Sequence, residues 1–303
     1  MQVVTTAQLD LAPPQELRQA PLSSLLASAW EVRRREHAPT LRLIRPTATT
    51  TLSVTGSACA LHCAHCDTRY LQHMQTLEGF QPGQARSCLV SGGCDPHGMV
   101  PLTEHAEALR KLAGQLRLNL HVGTMDASTL ARLDIPAAAI SLDVVGCAET
   151  MRLVYGLERS LEQTLEQLVA LRACGTVVPH VTIGLHGGKI RGEYRALDGL
   201  AALDPEQVVL IVLIPTAGTR FAACQPPDPD EVARVMAYAR IRLPHSRLTL
   251  GCMRPYGAYR SAIDRLALSA GVNAIVNPSR SVPAAAAEEG LSISWGDECC
   301  ALD

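Results

Sequence analysis

Two rhythms of apolar and polar residues alternate along this chain. Short runs rich in Val, Ile, Leu and Thr, each closed by glycine, proline or a polar turn, mark strands. They are TTLSVTG (50–56), SCLVSGG (87–93), RLNLHVG (117–123), AAISLDVVG (138–146), VVPHVTIGL (177–185), QVVLIVLIP (207–215), RLTLGC (247–252) and VNAIVN (272–277). Between them lie stretches with apolar residues at helical spacing, such as PLTEHAEALRKLAGQL, SLEQTLEQLVALRACG and DPDEVARVMAYARIRL, each opening near a Ser, Thr or Asp that can cap a helix. Strand and amphipathic helix in strict alternation is the signature of parallel βα units. About eight such units predict an α/β fold of the (βα)8 TIM-type barrel, in which the C-terminal strand ends form one rim that carries the chemistry.

The flanks differ. Residues 1–44 read as a helical N-terminal extension, with Leu22, Leu25, Leu26, Ala29 and Trp30 at helical spacing and a basic end. Residues 45–282 form the barrel. Residues 283–303 read as a C-terminal helix, built on the Ala-rich stretch Pro283–Ala287, followed by a tail that carries Cys299 and Cys300. The tail is expected to fold over the barrel mouth.

Composition narrows the function. The chain has 303 residues, 47% hydrophobic but only 3% aromatic, so aliphatic side chains must build the core. With 27 Lys and Arg against 29 Asp and Glu, no basic groove for nucleic acid or anionic membrane is expected. No run approaches the ~18–20 apolar residues of a membrane-spanning helix, and MQVVTTAQLDLAPPQEL lacks the features of a signal peptide, so a cytoplasmic protein is expected. Eleven cysteines are then out of proportion. In a reducing compartment they point to metal ligation rather than to disulfides.

Spacing singles out three of them. TGSACALHCAHCDTRYLQHM places Cys59, Cys63 and Cys66 in a CxxxCxxC arrangement directly after the first of the strands above. Soft thiolates select zinc or iron-sulfur clusters. Three local ligands without an adjacent fourth leave one position open, which marks a reactive site rather than a closed structural one. His62, His65 or a remote cysteine completing a zinc site is the plainer alternative.

CxxxCxxC after the first strand of a βα barrel resembles the radical S-adenosylmethionine superfamily. The resemblance implies a 4Fe-4S cluster on Cys59, Cys63 and Cys66, whose fourth iron is chelated by the amino and carboxylate groups of S-adenosylmethionine. It also implies an electron donor such as ferredoxin or flavodoxin. The residue before the last cysteine is usually aromatic and touches adenine; here it is His65. Ser91-Gly92-Gly93-Cys94-Asp95 resembles the GGE-type motif that receives the cofactor's amine, with Asp95 where Glu is commoner. The stretch from Ser141-Leu142-Asp143 into AETMRLVYGLERSLEQ is similar to that of biotin synthase, implying Asp143 for the ribose hydroxyls and Arg159 for the carboxylate. Ile183-Gly184-Leu185 resembles the adenine contact, and Leu213-Ile214-Pro215-Thr216 with Gly218-Thr219 the following turn.

Beyond the triad, Cys94 and Cys252 end strands at the rim, and Cys299 and Cys300 follow near the end of the sequence. These four are the candidates for a second iron-sulfur cluster. In the sulfur-inserting members, biotin and lipoyl synthase, such a cluster is the sulfur source. SGGCD and GCMRPYGAYR further resemble biotin synthase homologues that form a two-protein lipoyl synthase. That implies an octanoyl chain on a carrier protein or peptide as substrate and a second radical protein as partner. Arg254, Tyr256, Tyr259 and Arg260 form a polar set that reads equally as a contact for substrate or cluster and as a solvated loop, and Lys189 and Arg191 read the same way, either as a contact for an acidic carrier or as solvated residues. Two other readings remain at this point: a single-cluster mutase, lyase or cofactor maturase, and a non-catalytic iron-sulfur or zinc-binding protein. His121 and His180, on strands, read as satisfied core residues.

Overall fold

The computed structural model describes residues 12–302. In chain order the elements are α1 (Pro14–Gln19), α2 (Leu22–Glu36), β1 (Thr40–Ile44), β2 (Thr49–Ser53), β3 (Gln75–Thr76), β4 (Ser87–Ser91), α3 (Ala106–Ala113), β5 (Arg117–His121), α4 (Ala127–Leu133) and β6 (Ala139–Asp143). There follow α5 (Ala148–Tyr155), α6 (Leu161–Leu171), β7 (Val177–Ile183), α7 (Glu193–Ala201), β8 (Gln207–Val212), α8 (Pro229–Arg242), β9 (Arg247–Leu250), α9 (Gly257–Ser269), β10 (Ala274–Val276), α10 (Val282–Glu288) and β11 (Ser292–Gly296). All ladders are parallel, in a single eleven-stranded sheet ordered β11-β1-β10-β9-β8-β7-β6-β5-β4-β2-β3. Each of the eight strand runs read from the sequence is a strand here, in the TIM-type barrel order. No helix among the described residues is long and apolar enough to cross a membrane.

The sheet curls. Ile44, Ala139, Val178, Val209, Ala274 and Val276, from strands as far apart as β1 and β6, share a single inner cluster. The opposite faces of the strands, with Leu52, Val90, Leu118, Leu120, Ile140, Leu142, Val181, Ile183 and Leu210, pack against the helices in a second and larger cluster. Strict alternation along each strand therefore sorts residues into lumen and outer layer. Burial of each such Leu, Ile or Val contributes about 1.5–3 kcal/mol.

Caps fix where the helices start. Ser160 accepts from the Gln163 amide while Gln163 returns a bond to the Ser160 amide, a capping box that opens α6. Asp228 accepts from the Asp230 amide ahead of α8, with Pro229 in the first turn. The helical extension lies on α8 through Leu25, Ala29 and Val32. It then adds β1, so the lead-in is not helical to its end. Alternation in TLRLI hides behind the basic stretch that precedes it, and the short SISWG of β11 behind the Ala-rich helix.

A buried ion pair anchors the turn after β9. Arg254 and Asp264 are fully buried, with Arg254 Nε donating to Asp264 Oδ1 at 2.8 Å, and Arg254 Nη1 donating to the Gly251 carbonyl at 2.6 Å. The second carboxylate oxygen accepts from the Ser279 amide at 2.7 Å. Arg254 is thus a staple that shapes the backbone around Cys252, which corrects its expected role in holding substrate. Replacing Asp264 with alanine strands the guanidinium without its counter-charge and is expected to cost about 3–5 kcal/mol, read as a fall in the urea midpoint.

Candidate functional site

The loop after β2 curls by passing through left-handed backbone at His62 (φ 46°), Asp67 (39°) and Thr68 (66°). Three main-chain bonds stitch it to neighbouring rim segments: Ala60 N to Cys94 O at 2.8 Å, Ala64 N to Val154 O at 2.8 Å and Phe221 N to Ala64 O at 3.0 Å. Tyr70 adds a hydroxyl contact of 3.0 Å to Thr216, and Gly218 leaves room for the Arg69 guanidinium. The expected turn after β8 is therefore fastened to the cysteine loop.

Cys63 is buried, with Cys59 and Cys66 half-buried. The Cys63 thiol hydrogen-bonds Cys66, which raises the pKa of the first and, against burial, lowers that of the second. Cys59 Sγ accepts from the Cys94 amide at 3.4 Å. Among the described residues no three Cys, His, Asp or Glu side chains are gathered about a single point that would hold a metal ion. Cys59, Cys63 and Cys66 share a single loop and are the soft thiolate donor set that an iron-sulfur cluster takes.

Gly93 shows why a glycine stands there. A Cβ would overlap the Ala58 carbonyl and Cys59, so the end of β4 presses directly on the cysteine loop. Gly92 is similarly tight against Val54. Asp95 turns out to serve its own turn, with Oδ1 accepting from the His97 and Met99 amides at 2.8 and 2.9 Å.

Asp143, the last residue of β6, lies in the lumen with Oδ2 3.4 Å from His121 Nε2. Burial raises its pKa, but the bond to His121 and the charges of His121, His180 and His65 outweigh it and bring it to about 2. Burial lowers the pKa of His121, and Asp143 more than reverses this, giving a net rise. His65 sits over the same space, its ring 5.6 Å from Tyr155 and 6.2 Å from Tyr70. Desolvation pushes its pKa down to about 4, so it stays neutral and behaves as an aromatic, and its Nδ1 is buried without a partner. An unpartnered polar atom here is a ready contact for a polar heterocycle.

Arg159 is folded back on α6, donating to Thr164 Oγ1 (3.1 Å), Gln163 O (3.1 Å) and Gln167 Oε1 (2.7 Å). Gln167 in turn donates to the Gly123 and Met125 carbonyls, which holds the guanidinium at the rim. Gly184, flanked by Ile183 and Leu185, adopts φ +77° against the Pro227 ring and donates its amide to Glu193 at 2.8 Å. Arg191 is paired with Glu149, whereas Lys189 is exposed.

The four further cysteines do not form one group. Cys94 belongs beside the triad, where burial and the charges of Cys59 and Asp143 push its thiol up to about 12. Cys299 and Cys300 enter the barrel from the base, not over the rim as expected. Cys299 N donates to Thr49 Oγ1 at 2.7 Å, and Gln207, which opens β8, donates to Cys300 O at 2.6 Å. Cys299 Sγ reaches the Asn119 amide at 3.7 Å and Cys300 Sγ at 4.0 Å. A hydrogen bond from Cys300 lowers the Cys299 pKa, while burial and the Cys299 charge raise that of Cys252. The lumen thiols are thus Cys252 and Cys299, with Cys300 behind. His121, His180 and Tyr155 were missed as site residues. The polar positions Asn119 and His121, alternating with Leu118 and Leu120, are the signal that a polar lumen rather than an apolar core faces β5.

No family model matches the chain. It is 30% identical over 286 residues to biotin synthase of Halorhodospira halophila, covering 86% of this chain and 83% of that protein. It is also 28% identical over 284 residues to biotin synthase of Serratia proteamaculans, covering 86% and 79%. Among solved structures, methylornithine synthase superposes with a TM-score of 0.64 at 15% identity, covering 97% of this chain and 95% of that one. The last likeness is one of fold alone.

Proposed function

The chain belongs to the biotin synthase-like branch of the radical S-adenosylmethionine superfamily, and from that membership we propose that it inserts sulfur at unactivated carbon, as one component of a lipoyl synthase. Cys59, Cys63 and Cys66 would hold a 4Fe-4S cluster. A reduced cluster held there would supply the electron for reductive cleavage of S-adenosylmethionine to methionine and a 5′-deoxyadenosyl radical able to take hydrogen from the substrate.

The chain's own residues bind and orient. Asp143, ionised at any working pH, would accept the ribose hydroxyls, with His121 fixing its direction. Arg159 would take the cofactor carboxylate at the rim, its reach set by Gln167. His65 would offer a neutral face and its unpartnered Nδ1 to adenine, whereas Ile183, packed against the helices, and Gly184, against Pro227 and bonded to Glu193, do not serve as the expected adenine contact. Gly92 and Gly93 let β4 close onto Val54 and the cysteine loop, which would bring the backbone of this turn beside the cluster and the cofactor's amine. Curling of the sheet encloses this space, which keeps water from a radical.

The observation that supports sulfur insertion is Cys252, whose thiol is pushed up by burial and by the Cys299 charge, together with Cys299, whose Sγ lies 3.7 Å from the Asn119 amide and 4.0 Å from Cys300 Sγ. They support a second iron-sulfur cluster that donates sulfur, with Cys300 in reserve and Cys94 assigned to the first site. The octanoyl carrier, the second radical protein and an electron donor such as ferredoxin or flavodoxin are the partners of this reading. Anaerobic reaction on an octanoylated carrier, with the second cluster carrying labelled sulfide, is expected to move label into the product. Cleavage of S-adenosylmethionine with no labelled product would favour a mutase, lyase or maturase instead.

A further inference from the structure

Among the described residues no ladder joins β11 to β2, so the barrel seam is closed by something else. Residues 297–302 fill it. Ala48 N donates to Asp297 O at 2.8 Å, and the Cys299 amide bonds Thr49 at the start of β2. Cys300, Ala301 and Leu302, each 7% exposed, pack among Ile44, Val178 and Val209 in the barrel base. This segment is a plug inserted from below.

Two arginines outside the lumen hold it. Arg86, just before β4, pairs with Asp297 at 2.6 Å, with both side chains half-exposed. Solvent screens such a pair, so it holds the segment only weakly. Arg117, the first residue of β5, pairs with Glu298 and also donates to Leu302 O at 3.0 Å. The Glu298 side chain is only 12% exposed, and its Oε1 is buried without a partner. Arg117 is the cation it pairs with directly, and Arg86 adds a more distant positive charge.

We propose that Arg117 is the positioning residue for the lumen thiol: by neutralising buried Glu298 it keeps residues 297–302 in the barrel base and Cys299 against Asn119. Removing Arg117 leaves an uncompensated carboxylate in the base, and withdrawal of the plug is the way to rehydrate it. Removing both charges takes away the reason to withdraw. The proposal deepens the sulfur-insertion reading, since Cys299 is a ligand there, but its geometry stands without the second cluster.

The test is differential alkylation of the full chain with the rim cluster assembled, read cysteine by cysteine by mass spectrometry. Arg117→Gln is expected to speed Cys299 modification by about tenfold or more, while Cys88, buried between sheet and helices, keeps its wild-type rate. Arg117→Gln with Glu298→Gln is expected to return Cys299 to slow modification. An unchanged Cys299 rate in the single variant, a parallel rise at Cys88, or no rescue by the second substitution would each overturn the proposal. Opening of Cys299 as expected, alongside a wild type that holds only one cluster, would uphold the positioning role and sink the sulfur-insertion reading.

Discussion

Replacing Cys63 by alanine is expected to remove about four irons per chain and to lower reductive cleavage of S-adenosylmethionine by more than about a thousandfold, some 4 kcal/mol in barrier. Cys63 is the buried member of the triad, bonded to Cys66 and set in a loop fastened at Ala60 and Ala64. The loop bonds are main-chain, so they survive the substitution, and the fold should melt within a few degrees of the wild type. Anaerobic 5′-deoxyadenosine formation, measured beside a thermal scan, separates lost chemistry from lost structure. A variant that still forms 5′-deoxyadenosine at the wild-type rate would remove the cysteine loop from the mechanism.

Replacing Cys252 and Cys299 together by serine is expected to split the two activities. Among the described residues the cysteine loop shares no main-chain bond with either residue, so cleavage of S-adenosylmethionine should stay within about threefold of wild type. Formation of the sulfur-bearing product should fall by more than about a hundredfold, because the lumen would lose its sulfur source. The measurement is the ratio of product to 5′-deoxyadenosine. An unchanged ratio would place the sulfur elsewhere and return the single-cluster readings to first position.

Much of this is legible in the amino-acid sequence. Glycine- and proline-closed apolar runs locate the eight barrel strands, since a parallel strand buried on both faces cannot be mistaken for a long helix. CxxxCxxC identifies the reactive loop because three thiolates within a single turn have few purely structural uses. Other features depend on three-dimensional return of the chain. A sequence places Cys252 at the rim by its strand, yet carries no sign of the end from which residues 297–302 approach. Grouping Cys94 with the distal cysteines failed for a similar reason: it sits at a strand end like Cys252, but its amide is already bonded to Cys59. His121 and His180 read as core because histidines on strands are commonly satisfied there; in a curled sheet the same positions face the lumen and the Asp143 carboxylate. Arg254 had the look of a ligand-binding group and is a buried staple, which only its pairing with Asp264 reveals.

The central claim is that one barrel holds two clusters, one at the rim and one in the lumen. Iron counting with Mössbauer spectroscopy on the anaerobically reconstituted protein tests it most directly. About eight irons per chain, falling to about four in the Cys252→Ser/Cys299→Ser variant, is the predicted result if both are of the four-iron type. About four irons in both proteins, with a single spectral component that S-adenosylmethionine perturbs, would contradict it.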